Sequence, residues 1–313
     1  MTGELEIHEA CDSEREAAFR NVYEVWPRGR TLDEHMEFRR HSPRHEWARW
    51  YVGVLDGQVV TSLGCHPMKF RIHGEVHEGI GIAAVHTLSD FRRRGFAERL
   101  IEWVETRERA GGIQLAMLFS DIGAGYYARL GYQLCPGNEG LTSVENGLDE
   151  TRESGARLVA FDAADNLGRM NELYVGDHGH RPASIERTDA YWKNILARHP
   201  DDEFFWLIDE KDKTYGYVRL GKTDQMLKIT DLALSSDAAD RIVSCYRAVI
   251  SLARSRGLTS VGGWLPDTPA TRNCFAIRPR ELELTMLKPL GESLALDDEV
   301  IAATDYFHET DHV

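Results

Sequence analysis

The sequence has no run of about 18 uncharged apolar residues, the minimum length of a membrane-spanning helix. No membrane partner is therefore expected. The first residues, MTGELEIHEACDSERE, are acidic and lack the basic-then-apolar leader of a secreted protein. The sequence thus predicts a cytoplasmic protein.

Cysteine is also scarce. The five cysteines are scattered and never form a Cys-x-x-Cys pair, which excludes the framework of a disulfide-rich secreted domain. The histidines of DHGHRP have no carboxylate or cysteine at ligand spacing, so we predict no metal ion. We predict reduced, mostly buried thiols at Cys11, Cys65, Cys135, Cys245 and Cys274.

Positive charge is in deficit. Thirty-seven lysines and arginines stand against 51 aspartates and glutamates, which gives a net charge of −14. Nucleic acid is not an expected partner, because phosphate binding needs a basic face. An acidic protein suits a cationic substrate such as an amine, although acidity often serves only solubility. We expect a small, cationic amine as the partner molecule.

The length of 313 residues favours two domains. In the first half, helix-like and strand-like segments follow in the order α, α, β, β, β, α, β, α, β. Residues 136–154 are rich in Gly, Glu, Asn and Ser, which indicates a loop or linker. The second half repeats the pattern more faintly and suggests a duplication. We therefore predict domains at 1–150 and 151–290, followed by an acidic tail at 291–313.

The segment FRRRGFAERLIEWVE contains three consecutive arginines, a glycine and an apolar periodic run. An apolar strand ending near Leu88 precedes it, and the run predicts an amphipathic helix. A strand–loop–helix junction directs free backbone N–H groups and the helix dipole at one point. Gly95 lets a ligand approach the backbone closely. The junction therefore suits a pyrophosphate; the alternative is a basic patch that contacts another protein.

The segments VHTLSDFRRRGFA and LFSDIGAGYYARLGY resemble the Gcn5-related N-acetyltransferase (GNAT) superfamily. The acetyl-CoA loop of that superfamily reads Gln/Arg-x-x-Gly-x-Gly/Ala, and Arg92, Gly95 and Ala97 occupy those places. A later helix of the superfamily reads aromatic-Tyr-x-x-x-Gly-aromatic, which YYARLGY matches around Tyr127. The loop pattern alone is weak, but the two motifs in order are far more specific. The resemblance covers roughly residues 80–135.

The second half lacks a comparable loop, because LALSSDAADRIVSCYRAV has no glycine at the turn and no basic run. This arrangement is similar to the enhanced intracellular survival branch, in which an intact first domain precedes a degenerate one. The resemblance implies an α/β protein with mixed sheets, built from two tandem GNAT domains of which the second is degenerate. Members of that branch carry a further sterol-carrier-like domain, and we expect this chain to end before one. The second domain should shape the acceptor cleft or a homo-oligomer interface.

The resemblance also implies that acetyl-CoA is the cosubstrate and that a primary amine attacks it directly in a ternary complex. It makes Tyr127 the catalytic proton donor to the departing thiolate; the alternative is a packed aromatic. The strand before the loop should pair with the pantetheine arm through its backbone. The expected cofactor-binding residues are Val85, His86, Thr87, Arg92, Arg93, Arg94, Gly95, Phe96, Ala97 and Ser120.

Several roles stay open at this point. His86 is either a base or, more commonly for a lone histidine in a strand, a structural residue. Ser120 either faces the cofactor or caps the next turn. In the resembled branch a chain-terminal carboxylate is the general base, and Val313 meets this condition only if the tail folds back on the first domain. Four acidic residues near the expected acceptor site are equally open as solvated charges: Glu24, Asp33, Glu34 and Glu37.

Two other functions use the same residues. A different acyl group, or an aminoacyl donor, is compatible with the same fold, since a fold does not fix a function. A non-catalytic protein that binds CoA as a sensor or scaffold needs the loop but not Tyr127.

Overall fold

The computed structural model describes residues 3–145, 155–292 and 294–313. The first part of the chain forms strands and helices in the predicted order, with an extra short strand at the start and an extra short helix before the first hairpin. These elements are β1 (Glu6–Glu9), α1 (Asp12–Val22), α2 (Leu32–His41), α3 (Pro43–Trp47), β2 (Arg49–Leu55), β3 (Gln58–Ile72), β4 (Glu75–Thr87), α4 (Phe96–Ala110), β5 (Leu115–Ser120), α5 (Ala124–Arg129), β6 (Gln133–Leu134) and β7 (Asn138–Ser143).

The second part of the chain contains a comparable set of elements. They are β8 (Arg157–Ala160), α6 (Leu167–His178), β9 (Ala183–Ile185), α7 (Asp189–Arg198), β10 (Glu203–Ile208), β11 (Thr214–Thr223), β12 (Met226–Leu234), α8 (Ile242–Ser255), β13 (Ser260–Trp264), α9 (Pro269–Arg272), β14 (Ala276–Pro279), β15 (Leu284–Pro289) and α10 (Asp298–Ala303). Short 3₁₀ turns lie at Ser89–Phe91, Ala164–Asn166, Ser236–Arg241, Thr304–Tyr306 and Glu309–Asp311.

The described strands form two mixed sheets. The first has the order β1-β2-β3-β4-β5-β15-β6, with β9 also paired to β3, and the second has the order β14-β7-β13-β12-β11-β10-β8. Each sheet contains one parallel pair, β4 with β5 and β12 with β13, and the other pairs are antiparallel. Parallel neighbours need a crossover, which α4 and α8 provide. The predicted mixed α/β architecture is confirmed.

The crossover helices are held by apolar stripes at helical spacing. Leu100, Ile101 and Val104 of α4 are fully buried against the first sheet. In α8, Cys245, Val249 and the neighbouring apolar side chains fill the same role on the second sheet. Both helices therefore follow from the period of their apolar residues.

The two sheets exchange strands. The strand β15, which the chain reaches late, inserts between β5 and β6 of the first sheet. In return β7 lies between β13 and β14 of the second sheet. The segment 136–154, expected to be loop, thus contains a strand at Asn138–Ser143, because these residues find a partner that is distant in sequence. The expected boundary between residues 150 and 151 lies outside the described residues.

The C-terminal segment is folded against both sheets. Val300, Ala303 and Phe307 join a core cluster with side chains of β3, α7 and β11. At the end of the segment, His312 packs on Phe119 with a ring-centroid distance of 4.8 Å. A Cβ placed on Gly81 would lie 2.8 Å from Cγ1 of Val313. The tail therefore returns to the first sheet.

None of the helices formed by the described residues has the length and the apolar character that crossing a bilayer requires.

Candidate active site

The loop between β4 and α4 forms a concave run of backbone amides. Arg93 and Gly95 both have positive φ, +63° and +75°, while Gly95 directly precedes the first residue of α4. The alternation of left-handed and right-handed residues turns successive N–H groups toward one side, which is the geometry of an anion-binding nest. A Cβ on Gly95 would meet no protein atom within 4 Å, so the space in front of this residue is open.

The same loop leaves its amides without protein acceptors. Among the described residues, no backbone or side-chain acceptor is found for the N–H groups from Arg93 to Glu98, whereas the next amide, that of Arg99, donates to the Gly95 carbonyl at 3.0 Å. The positive end of the α4 dipole lies at this point. Unpaired amides and a helix N-terminus together can hold a phosphate group.

The three arginine side chains are exposed, and those of Arg92 and Arg94 contact the ends of the loop. Arg92 Nε donates to the Thr87 carbonyl at 2.9 Å, and its guanidinium lies 3.4 Å from the Glu24 carboxylate. Arg94 donates to the Asp90 carbonyl at 3.0 Å. Arg93, Phe96 and Ala97 lie in the same loop and first turn. The three arginines therefore supply positive charge around the open amides.

The end of β4 separates from β5 at a bulge. The parallel pairing of these strands stops at Ile82 with Leu118, although both strands continue. Ala84 has φ +50°, and the pairing of β4 with β3 shifts by one residue at this point. Such a bulge bends the strand and interrupts the ladder. Residues 83–87 thus present a backbone edge to the gap between β4 and β5.

The side chains of this edge are used within the protein. His86 Nε2 lies 3.1 Å from Glu24 Oε2, and its carbonyl accepts a hydrogen bond from Thr61 at 2.8 Å. Burial lowers the pKa of His86, although the nearby Glu24 carboxylate opposes this. The Thr87 hydroxyl bonds to that of Thr61 at 2.9 Å. His86 therefore makes structural contacts, and the backbone of the strand is the part available to a ligand.

Tyr127 lies on α5, facing a cavity of about 300 Å³ beside the gap, which Ala84 and Val85 also line. Its side chain is 8% exposed and packs edge-on against Tyr126 and Tyr132. No hydrogen-bond partner of its hydroxyl is found in the described parts of the chain, so this group can interact with a ligand. Burial raises the pKa of the phenol, and the neighbouring Tyr126 and Asp121 add to this.

Ser120 ends β5 and is almost fully buried. Its hydroxyl donates to the Gly123 carbonyl at 2.7 Å and so fixes the turn that leads into α5. This contact matches the structural alternative for Ser120, since the hydroxyl is already used within the turn.

The cavity also receives residues from the second part of the chain. Glu283, just before β15, and His312 and Val313 of the tail line it together with Tyr127. Glu283 Oε1 lies 3.7 Å from His312 Nε2. Burial raises the pKa of the Glu283 carboxyl, and the nearby Glu309 carboxylate contributes. Its backbone φ of +52° is a strained conformation of the kind that occurs at functional sites.

Sequence reasoning did not single out Glu283 or Asp121. Both lie at the ends of strands in the first sheet, but β15 reaches that sheet only through the strand exchange. The positive φ of Glu283 has no signature in its residue type. In the described ranges no group of three or more His, Cys, Asp or Glu side chains is arranged to hold a metal ion.

The loop, the separated strands and the position of Tyr127 agree with a match to a family model. Residues 6–135 match the model for the acetyltransferase (GNAT) domain. Over these residues the N-terminal part of the chain is similar to a GNAT domain. A comparison with curated protein sequences gave no match.

Solved structures extend the similarity in fold over both sheets. A conserved protein of unknown function from Enterococcus faecalis V583, described as a probable N-acyltransferase, is 14% identical with a TM-score of 0.76, covering 92% of this chain and 73% of that one. Eis1 from Mycobacterium abscessus is 17% identical with a TM-score of 0.63, over 92% and 74%. A tandem GNAT protein from the clavulanic acid biosynthesis pathway is 12% identical with a TM-score of 0.56, over 93% and 100%. At these identities the likeness concerns the fold, and it agrees with two tandem GNAT-like domains.

Proposed function

We propose that this protein is an N-acyltransferase that transfers an acyl group, acetyl in the first instance, from acyl-CoA to a primary amine. The observation that carries the proposal is the continuous path from the open amides of residues 93–98, along the free edge of β4, to the cavity that contains Tyr127. Phosphates, an extended pantetheine arm and a thioester fit these three parts in this order. Acyl-CoA would supply an activated carbonyl carbon and a thiolate leaving group.

Different residues of the chain would bind different parts of acyl-CoA. The amides of residues 93–98 would bind the pyrophosphate, with Arg92, Arg93 and Arg94 adding positive charge. The backbone edge of Val85 to Thr87 would pair with the pantetheine arm. An N–H group of this edge would also stabilise negative charge on the thioester oxygen.

The reaction requires two proton movements. The amine nitrogen forms a bond to the carbonyl carbon and the carbon–sulfur bond breaks, so the nitrogen loses one proton and the sulfur gains one. We propose Glu283 as the group that accepts the amine proton, because its carboxyl faces the cavity and its raised pKa makes it a better base than an ordinary glutamate. Tyr127 would donate the proton that the departing sulfur gains, since its phenol stays protonated at neutral pH and faces the cavity.

A protein that binds CoA without catalysis is the second candidate, because the loop and β4 edge serve binding alone. The Tyr127 hydroxyl, left without a protein partner in the cavity, favours the enzyme. Release of free thiol from acetyl-CoA in the presence of a panel of amines separates the two: turnover supports the transferase, and tight CoA binding without turnover supports the sensor.

Calorimetric titration with CoA tests the loop itself. Gly95→Ala puts a methyl group into the open space of the loop and strains a left-handed backbone, which costs about 1–2 kcal/mol. We expect binding to weaken about tenfold or more, since 1.4 kcal/mol corresponds to a factor of ten. Gly57→Ala is the matched control: Gly57 has φ +79° and equally open surroundings, but lies in the β2–β3 turn. Equal effects of the two changes would contradict the assignment of the loop.

A further inference from the structure

The cavity beside Tyr127 is rich in positive charge, although the protein as a whole carries −14. Five of the side chains that line it are arginines from the segment between α1 and β2 and from the end of α7: Arg28, Arg30, Arg39, Arg44 and Arg198. Among the described residues, none of the five has a carboxylate within the 4.0 Å of an ion pair. No direct ion pair among the described residues therefore neutralises these positive charges.

Two of these arginines hold buried donors without acceptors. Arg39 is 8% exposed, and its Nε finds no hydrogen-bond partner in the described structure. In Arg198, Nε and one terminal nitrogen are unpaired, while the other terminal nitrogen lies 2.7 Å from His312 Nδ1. An unpaired buried charge is far more costly than an unpaired neutral group. Such an arrangement is stable chiefly when a ligand completes it.

The arginines also lower one another's pKa, because their positive charges repel. The pKa of Arg39 is lowered to about 10 by burial and by Arg28 and Arg30. Burial and Arg28 lower the pKa of Arg198 to about 10. Burial, Arg198 and Arg39 hold the pKa of Arg44 well below its usual value. A bound anion would relieve both the burial and the mutual repulsion.

Asp121 and Glu283 are the acidic side chains that line the same cavity, and the terminal carboxylate belongs to Val313, which also lines it. Both lie at strand ends of the first sheet, Asp121 directly after β5 and Glu283 directly before β15, and Asp121 is close enough to Tyr127 to raise its pKa. The arginines come from other elements. The cavity thus offers carboxylates beside the proposed proton donor and guanidinium groups contributed by the loop before α2 and by α2, α3 and α7.

We propose that the acceptor is a primary amine that also carries an anionic group, a carboxylate or a phosphate, which Arg39 and its neighbouring arginines bind. The ammonium group then lies toward Asp121 and Glu283; it releases one proton to solvent to become the nucleophilic amine, and the second proton passes to Glu283 as the C–N bond forms and the C–S bond breaks. This inference rests on the proposed acyltransferase function and names its substrate class. The net charge of the whole chain had suggested a cationic acceptor, whereas the cavity favours one with a negative end.

Matched pairs of amines test this substrate class. Thiol release from acetyl-CoA is measured with ethanolamine and phosphoethanolamine, glucosamine and glucosamine 6-phosphate, and cadaverine and lysine, which differ by one anionic group within each pair. A hydrogen bond to a charged group contributes about 1.5–3 kcal/mol, so we expect kcat/KM at least about tenfold higher for one class of anionic member. The phosphate pairs and the carboxylate pair distinguish the two anions. Equal or better turnover of every member that lacks the anionic group would overturn the proposal.

Arg39→Met tests the site directly. Replacing an unpaired buried charge by an apolar side chain of similar length should leave the melting temperature of the free protein unchanged or raise it. The same change should lower kcat/KM for the anionic member at least about tenfold more than for the counterpart that lacks the anionic group. Arg15→Met is the control, because Arg15 lies on the surface with Asp12. An equal loss of kcat/KM for both members of a pair would show that Arg39 does not recognise the anionic group.

A binding measurement without acyl-CoA keeps the two proposals apart. Inorganic phosphate should raise the melting temperature of the wild-type protein more than that of the Arg39→Met variant. If no amine reacts but this difference is present, the anion site stands and the transferase proposal fails. If amines react but phosphate stabilises both proteins equally, the anion site fails and the transferase proposal stands.

Discussion

The C-terminal tail is held in the cavity by a buried charge network, and Asp311→Asn should release it. Arg187 donates to Asp311 at 2.7 and 3.1 Å and to Asp231 at 2.7 and 3.1 Å. The three side chains are at most 1% exposed. His312 and Val313 follow Asp311 directly and enter the cavity. The change therefore removes the charge that anchors the end of the chain.

The size of the effect follows from burial. Removing one partner of a buried ion pair costs about 3–5 kcal/mol. Asp231 still compensates Arg187 in the variant, so we expect the lower end, about 3 kcal/mol. With a urea slope of about 3 kcal/mol per molar, the unfolding midpoint should fall by about 1 M. Acyl transfer should fall as well, because the tail no longer completes the cavity.

Asp12→Asn is the control for this experiment. Asp12 pairs with Arg15 at 3.0 Å, but its side chain is 95% exposed, so the change should not alter stability measurably. If Asp311→Asn unfolds at the same urea concentration as the wild-type protein, the buried network does not anchor the tail. Normal stability combined with lost activity would also contradict the reasoning, since the two effects have one cause.

The same network gives a pH dependence. Burial raises the pKa of Asp231, but the Arg187 guanidinium and His308 outweigh this and lower it overall. A carboxyl whose pKa is lowered by folding stabilises the protein above its ordinary pKa of about 3.9 and loses this contribution as the pH falls below that value. The Asp231 contribution to the free energy of unfolding should therefore be constant at neutral pH and decline below about pH 4.

Three further outcomes are expected. Tyr127→Phe should lower kcat about 100-fold or more, and the alkaline limb of the wild-type pH–rate profile should lie above the usual tyrosine range, because burial raises the pKa of this phenol; unchanged turnover would remove its assigned role. Glu283→Gln should lower kcat/KM and abolish an acid limb that lies above the usual glutamate pKa of about 4.3; an unaltered limb would exclude it as the base. Titration with a thiol reagent at neutral pH should modify Cys11 alone, since the other cysteines are buried and burial raises the pKa of Cys65 to about 12; reaction of a second thiol in the folded protein would contradict this.

The strand–loop–helix unit could be predicted from the sequence because its signals are local. Gly95 stands where the backbone must turn left-handed, and the apolar period of Leu100, Ile101 and Val104 defines the buried face of the helix. The prediction that most cysteines are buried is also confirmed, with Cys11 as the exposed exception. Whether the residues of the loop bind acyl-CoA stays a prediction.

The strand exchange, and the site residues that depend on it, could not be predicted from the sequence. The pairing of β15 with β5 joins segments that are far apart in the chain, and no local pattern encodes it. The sequence predicts only an acidic tail for the last residues, because it gives no sign that Asp311 pairs with Arg187, 124 positions away. Glu283 and His312 enter the cavity only as a consequence of these distant contacts.

The contrast between the acidic chain and the basic cavity has a physical explanation. Charges on the surface are screened by salt over about 8–10 Å. Most of the net charge of −14 therefore contributes little to the electrostatic potential at a site inside the molecule. Inside the cavity, two charges 4 Å apart interact by about 4 kcal/mol at an effective dielectric constant of 20. A few unpaired arginines at that distance therefore determine which ligand is stable there, whatever the sum of the charges outside. Net charge predicts solubility and long-range encounter, whereas we propose that the preference for an acceptor is set by groups such as Arg39, which has no carboxylate partner among the described residues.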